Sequence, residues 1–199
     1  GSCVCANAAT FTAGSENATA GNVVSVPITV APSAGETSTD VNAYAIAISY
    51  DSSVLTPVVK GTDEVGDNTY ATVGDSFNSG VLTADLKDNE TGNDEVLIGW
   101  AAASPVNVTE ASTLATVDFT VNANATGSTD VKVAVAQVAN SDSALADKST
   151  IEAASGTVTV DTAILYGDAD GNGKIESEDA SLIAKKALDL ISSFPVENK

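Results

Sequence analysis

Asp168, Asp170, Asn172 and Asp179 stand at the first, third, fifth and twelfth places of one stretch, DADGNGKIESED. Side-chain oxygens at that spacing converge on one point, which suits a hard cation. Calcium takes roughly six to eight oxygens, from carboxylates, amides, main-chain carbonyls and water. Gly173 fills the sixth place, where the chain must turn sharply, and Ile175 the eighth, where an apolar side chain anchors the loop. Lys174 at the seventh place offers its main-chain carbonyl, and Glu176 at the ninth can hold a water. The twelfth residue is Asp where the common pattern has Glu. Asp is one methylene shorter, so a bidentate grip requires the following helix to start closer to the ion. The plainer alternative is an Asp/Asn/Gly-rich surface turn.

A helix must carry the end of such a loop. Past Asp179, the residues Ile183, Ala187, Leu190, Ile191 and Phe194 recur at three- and four-residue steps. Glu178 and Asp179 lie where carboxylates favour the helix dipole. Taken together, residues 166–191 resemble a dockerin repeat, the calcium-dependent plug of cellulosome-type assemblies. Dockerins normally carry two such repeats, and here one is present. The resemblance implies calcium as the cofactor and a cohesin as the partner of the tail. By the same resemblance, Ser177, Glu178, Lys185 and Lys186 occupy the positions that face a cohesin. Ordinary solvated helix residues are the alternative for each of the four. The second repeat's helix would cover the apolar stripe, and an isolated short helix does not sustain one uncovered. The stripe is therefore expected to pack on the main domain, read below as a sandwich, or on a second copy of the tail.

Composition narrows the remaining 160 or so residues. A chain of 199 residues has room for one medium domain and a small appendage. Its 27 acidic residues face 8 lysines, with no arginine or histidine, for a net charge of -19. Phosphate binding needs clustered cations, so nucleic acid and anionic membrane surfaces are poor partners. Hydrophobic residues make up 43% and recur periodically, which is not the pattern of a disordered chain. No apolar run approaches the roughly 20 residues of a membrane helix. Cys3 and Cys5 are too few for a zinc site without histidine, and a bridge across one residue is strained. CVCANA followed by Ala9 instead looks like the tail of a signal peptide, which points to a secreted, extracellular protein. Residues 1–8 are accordingly expected to be a residual signal or tag segment. The N-x-T sequons at Asn17, Asn89, Asn107 and Asn124 fit exposed loops.

Residues 9–161 alternate with period two. Val24, Val26, Ile28 and Val30 share one face, as do Tyr44, Ile46, Ile48 and Tyr50. Further strand candidates are 53–59, 81–86, 95–101, 115–121, 131–138 and 156–160, punctuated by Gly, Asn, Asp and Ser. About nine short strands predict an all-β, jelly-roll-like two-sheet sandwich with Trp100 and Phe119 in its core. A calcium loop and helix, residues 162–199, are appended. VVSVPITV, AIAISYDSSVLTPV and EVLIGWAAA, then LATVDFTVNANATG, stand in an order that resembles a cohesin, the receptor of dockerins. Cohesins meet the dockerin on the sheet holding the strands that these resemble. With Tyr44, Ile46, Ile48 and Trp100 inward, Ala43, Ala45, Ala47, Gly99 and Ala101 point outward, forming a shallow apolar shelf ringed by acidic surface; the alternative is that such small residues merely tolerate a neighbouring loop.

Enzyme chemistry lacks its parts. Without histidine, no Ser-His-Asp or Cys-His arrangement assembles, and no segment resembles a cleft loop carrying a carboxylate pair. A carbohydrate-binding module would show aromatic platforms, for which only Tyr70 and Phe77 are available in sandwich loops. The expectation is a noncatalytic extracellular adaptor that engages dockerin- or cohesin-bearing proteins. A carbohydrate-binding module or spacer sandwich on the same tail is the alternative.

Overall fold

Alternating β-branched and small residues build nearly all of the regular structure. In this computed structural model the described residues are 9–87, 93–139, 151–161 and 167–187. They form β1 (Ala9–Ala13), β2 (Glu16–Thr19), β3 (Val23–Pro32), β4 (Thr39–Asp51), β5 (Leu55–Pro57), β6 (Gly61–Thr62) and β7 (Asn68–Thr69). There follow β8 (Thr72–Val73), a 3-10 turn (Asp75–Phe77), β9 (Val81–Lys87), β10 (Asn93–Val108) and β11 (Ser112–Val121). Last come β12 (Gly127–Ala139), β13 (Ile151–Ala154), β14 (Gly156–Asp161) and α1 (Ser177–Ala187). The chain divides into two compact units, residues 1–160 and 161–199.

Two large sheets make the first unit. One runs β13-β1-β3-β11-β5, with β8 also on β11, and the other β2-β14-β12-β4-β10-β9. β1 runs parallel to β13, whereas the long central pairs are antiparallel. Val26, Ile28 and Val30 of β3 and Val117, Phe119 and Val121 of β11 are fully buried, as are Ile48 of β4 and Val96 of β10. Alternation explains this: on a pleated strand every second side chain faces the opposite sheet, and these are the apolar ones.

The architecture is the expected sandwich, with finer detail. The candidate at 53–59 shortens to β5, because Asp51 Oδ1 accepts from the N–H and Oγ of Ser53 and bends the chain into a turn first. β1 lacks a strong pattern, since Phe11 is its one large residue, yet Ala9, Phe11 and Ala13 are all buried. The expected signal or tag segment at 1–8 lies outside the described residues, as do Asn89, Leu190, Ile191 and Phe194.

An aromatic cluster fixes one end of the second sheet. Tyr44 and Trp100 stack with ring centroids 5.6 Å apart, and Phe77 stands edge-on to Trp100 at 5.2 Å. Trp100 Nε1 donates to the Phe77 carbonyl at 2.9 Å, so the buried indole N–H is satisfied. Gly80 lies against that indole, and a Cβ there would meet ring atoms at 2.4 Å.

Candidate docking face and metal loop

Cross-strand register brings the small residues together. Gly99 of β10 pairs with Ala45 of β4, Ala101 with Ala43, and Leu97 with Ala47. On the other side of β4, Ala134 of β12 pairs with Ala47, Gln137 with Ala45 and Ala139 with Ala43. Their sheet partners Tyr44, Ile46, Ile48, Ile98 and Trp100 are buried, which leaves the first set on the outer face. All five expected shelf residues thus share one surface. Leu97, 38% exposed, belongs to it by the same parity as Gly99, and the sequence carried that signal. Gln137 and Ala139 join through a register shift between Val135 and Gln137, which periodicity alone does not reveal.

The rim is mixed rather than uniformly acidic, which corrects the expectation of an acidic ring. Lys87, Glu95, Ser49 and Lys132 form one cross-strand row at its end. Beside that row a groove of about 320 Å³ is lined by Asp51, Glu95, Asp130 and Lys132 among others. The outer face of the opposite sheet is polar and internally paired. Ser25 Oγ donates to Asp118 at 2.7 Å, and Lys60 Nζ bonds the same carboxylate at 2.7 Å. Burial tends to raise the Asp118 carboxyl, but the Lys60 and Ser25 bonds hold it below the usual carboxylate range.

In the second unit, the carboxylates of Asp168, Asp170 and Asp179 place oxygens within 4.8 Å of one another. Asp168 Oδ1 accepts from the N–H of Gly171 and Asn172 at 2.8 and 3.1 Å, and its Oδ2 from Gly173 at 2.8 Å. Burial acts to raise the Asp168 carboxyl; these N–H bonds outweigh it and hold the group below its ordinary value. Asp179, 1% exposed, sits in the first turn of α1 and reaches back. Its Oδ2 accepts from Glu176 N–H at 2.7 Å and its Oδ1 from Ala169 N–H at 2.8 Å. The first of these is the returning half of a capping box, and it ties helix to loop. α1 begins at Ser177, within the twelve-residue span, so the shorter Asp179 does lie close.

The other loop residues serve the same turn. Asn172 Oδ1 accepts from Lys174 N–H at 2.9 Å, while its Nδ2 donates to Asp170 and Glu176. The Lys174 side chain is exposed. Ile175 is 65% exposed, with its side chain beside Gly167 at the start of the loop. On α1, Ser177, Glu178 and Lys185 are exposed and Lys186 is half-buried. Ile183 is 44% exposed. Chemically, the loop gathers hard oxygen donors as a divalent cation requires.

The cohesin domain model matches residues 9–160. The chain belongs to the cohesin family. The fold is shared with a non-cellulosomal cohesin of the archaeon Archaeoglobus fulgidus (TM-score 0.56, 18% identity), with 77% of this chain and 91% of that one covered. The seventh ScaB type I cohesin of Pseudobacteroides cellulosolvens gives a TM-score of 0.52 at 21% identity, covering 79% and 94%. A cohesin solved in a type I cohesin–dockerin complex of Clostridium thermocellum gives 0.56 at 15%, covering 78% and 100%. No curated protein matches.

A cohesin domain is a noncatalytic interaction module that pairs with dockerins in cellulosome-type scaffolds. The carbohydrate platforms considered from the sequence are not formed in this cohesin. Phe77 is fully buried against Trp100, and Tyr70 packs half-buried on the core. Among the described residues no aromatic ring is exposed for a sugar to stack upon. Nor is any described helix long and apolar enough to cross a membrane.

Proposed function

We propose that this chain is a noncatalytic extracellular adaptor joining two proteins of a polysaccharide-degrading complex. The outer face of β4, β10 and their neighbours receives the dockerin of one partner. The loop at 168–179, with calcium, and α1 plug into the cohesin of another as a dockerin-like unit. One observation carries the receptor role: Ala43, Ala45, Ala47, Gly99 and Ala101 converge at the centre of one sheet of a cohesin sandwich. Side chains that small let a helix lie close to the sheet. Polar selection then falls to the rim, where lysines and carboxylates alternate and a partner must match both signs.

The loop residues fit calcium. Every donor is an oxygen, and Asp168 and Asp179 are already buried and oriented by main-chain N–H groups. Asn172, the Lys174 carbonyl and a water on Glu176 would complete the set. The metal supplies the positive charge that lets three carboxylates share one point, so binding and folding of the tail are linked.

Calorimetry of the full chain should show calcium binding that Asp168→Ala abolishes, with the sandwich still folded; unchanged affinity in that variant sinks the metal site. A pull-down from secreted protein of a polysaccharide-degrading culture, with and without chelator, tests the adaptor. Recovery of dockerin- and cohesin-bearing proteins is expected in calcium. Recovery of neither overturns the reading.

A further inference from the structure

The loop contains a chemical hazard that its own turn makes unavoidable. Asn172 is followed by Gly173. In such a pair the glycine's main-chain nitrogen attacks the Asn Cγ, since no Cβ obstructs the approach. The nitrogen gives up its proton, the new C–N bond closes a succinimide ring, and Nδ2 leaves as ammonia with that proton. Water then opens the ring at either carbonyl to leave aspartate or isoaspartate. A bulkier residue would slow the attack, but Gly173 has φ +85, where other residues are strained. Asp170–Gly171 repeats the arrangement, with water as the leaving group and Gly171 at φ +74.

One side chain holds both nucleophiles. Gly171 N–H donates to Asp168 Oδ1, and Gly173 N–H to Asp168 Oδ2, each at 2.8 Å. A carboxylate against an N–H opposes loss of its proton and fixes the nitrogen's direction. Asp168 is only 5% exposed, so water competes little for it. The amide under attack is held as well. Asn172 Nδ2 donates to Asp170 at 3.1 Å and Glu176 at 2.9 Å, and its Oδ1 accepts from Lys174 N–H.

We propose that Asn172 is a deamidation site that Asp168 holds shut, so that each opening of the loop exposes the tail to an irreversible conversion. Aspartate at this position adds a carboxylate to the three already gathered and removes the Nδ2 donors that two of the loop's carboxylates use. Isoaspartate also lengthens the main chain at the turn. Without a cation, either product disfavours reclosure. These steps rest on the hydrogen bonds of the loop and are independent of the metal reading.

The test incubates the full chain at mildly alkaline pH, in native buffer and in urea, and follows the Asn172 peptide by mass spectrometry. Conversion shows as a gain of about one mass unit together with isoaspartate. The native chain should convert at least about tenfold more slowly than the unfolded chain, since only open loops react. Equal rates overturn the proposal. Asp168→Asn and Asp179→Asn are then compared where hydrogen exchange shows both helices formed. The N–H groups held by Asp179 are those of Ala169, Asp170 and Glu176, whereas Asp168 holds the Gly173 nucleophile, so Asp168→Asn should be the faster to deamidate. An Asp179→Asn rate equal to or above it assigns the protection to general tightness of the tail and removes the role of Asp168.

Discussion

Ala45→Arg tests the docking face most directly. Ala45 lies on the central strand of its sheet, between Gly99 on one side and Gln137 on the other, with its side chain outward. The sandwich should tolerate the change, because substitutions on an outer face usually stay within about 0.5 kcal/mol. A docked helix should not. The arginine either holds the helix away from the shelf or is buried beneath it without a partner, which costs several kcal/mol after relaxation. At about 3 kcal/mol the Kd for a dockerin rises roughly 100-fold. Ala45→Leu adds bulk without charge and should lose less. Thr120→Arg, on the outer face of the opposite sheet, is the control. Calorimetry or surface capture of a dockerin reads the affinities, and thermal unfolding reads the fold. An Ala45→Arg protein that binds with undiminished affinity refutes the assignment of the face, and so does a loss confined to Thr120→Arg.

Three further outcomes follow from the same geometry. Ile48→Ala empties a fully buried site between the sheets and should lower stability by about 2–5 kcal/mol, read from the urea midpoint. Asp179→Ala strips the acceptor from the N–H groups of Ala169 and Glu176, and leaving the buried Ala169 donor unsatisfied costs about 1–3 kcal/mol. Hydrogen exchange should then show α1 unprotected while β4 keeps its protection. Tyr44→Phe removes a buried hydroxyl that has no partner among the described residues, so the variant should be at least as stable near neutrality. Burial pushes the Tyr44 phenol well above its ordinary value. Above about pH 10 the unfolded chain sheds this proton while the folded chain keeps it, so stability falls as pH rises. The Phe variant should lose less in that range, and parallel alkaline unfolding curves would refute the account.

Alternation makes the sandwich legible in the sequence. Tyr44, Ile46, Ile48 and Tyr50 mark a strand with one buried face, and the outward parity of Ala43, Ala45 and Ala47 follows from the same count. Period two does not encode a slip in register. β10 shifts against β4 between Ala101 and Val106, and β12 between Val135 and Gln137, so the full width of the shelf emerges only in three dimensions. β6, β7 and β8 hold two residues each, too few to carry a period.

The loop was legible because its chemistry is local, but the motif understates its first residue. A ligand pattern presents Asp168 as an oxygen for a cation. The structure shows that carboxylate also binding the N–H groups of Gly171, Asn172 and Gly173, which draws the turn around it. Asp179 does the same between loop and helix. Replacing either residue therefore removes a ligand and a main-chain acceptor at once. Loss of cation binding in such a variant does not by itself separate a missing ligand from an unformed loop. Asp170 offers the cleaner separation. It lies in the same cluster, and its described acceptor bonds are confined to Asn172. An Asp170→Asn chain that keeps α1 protected yet binds calcium more weakly would assign the effect to the ligand set alone.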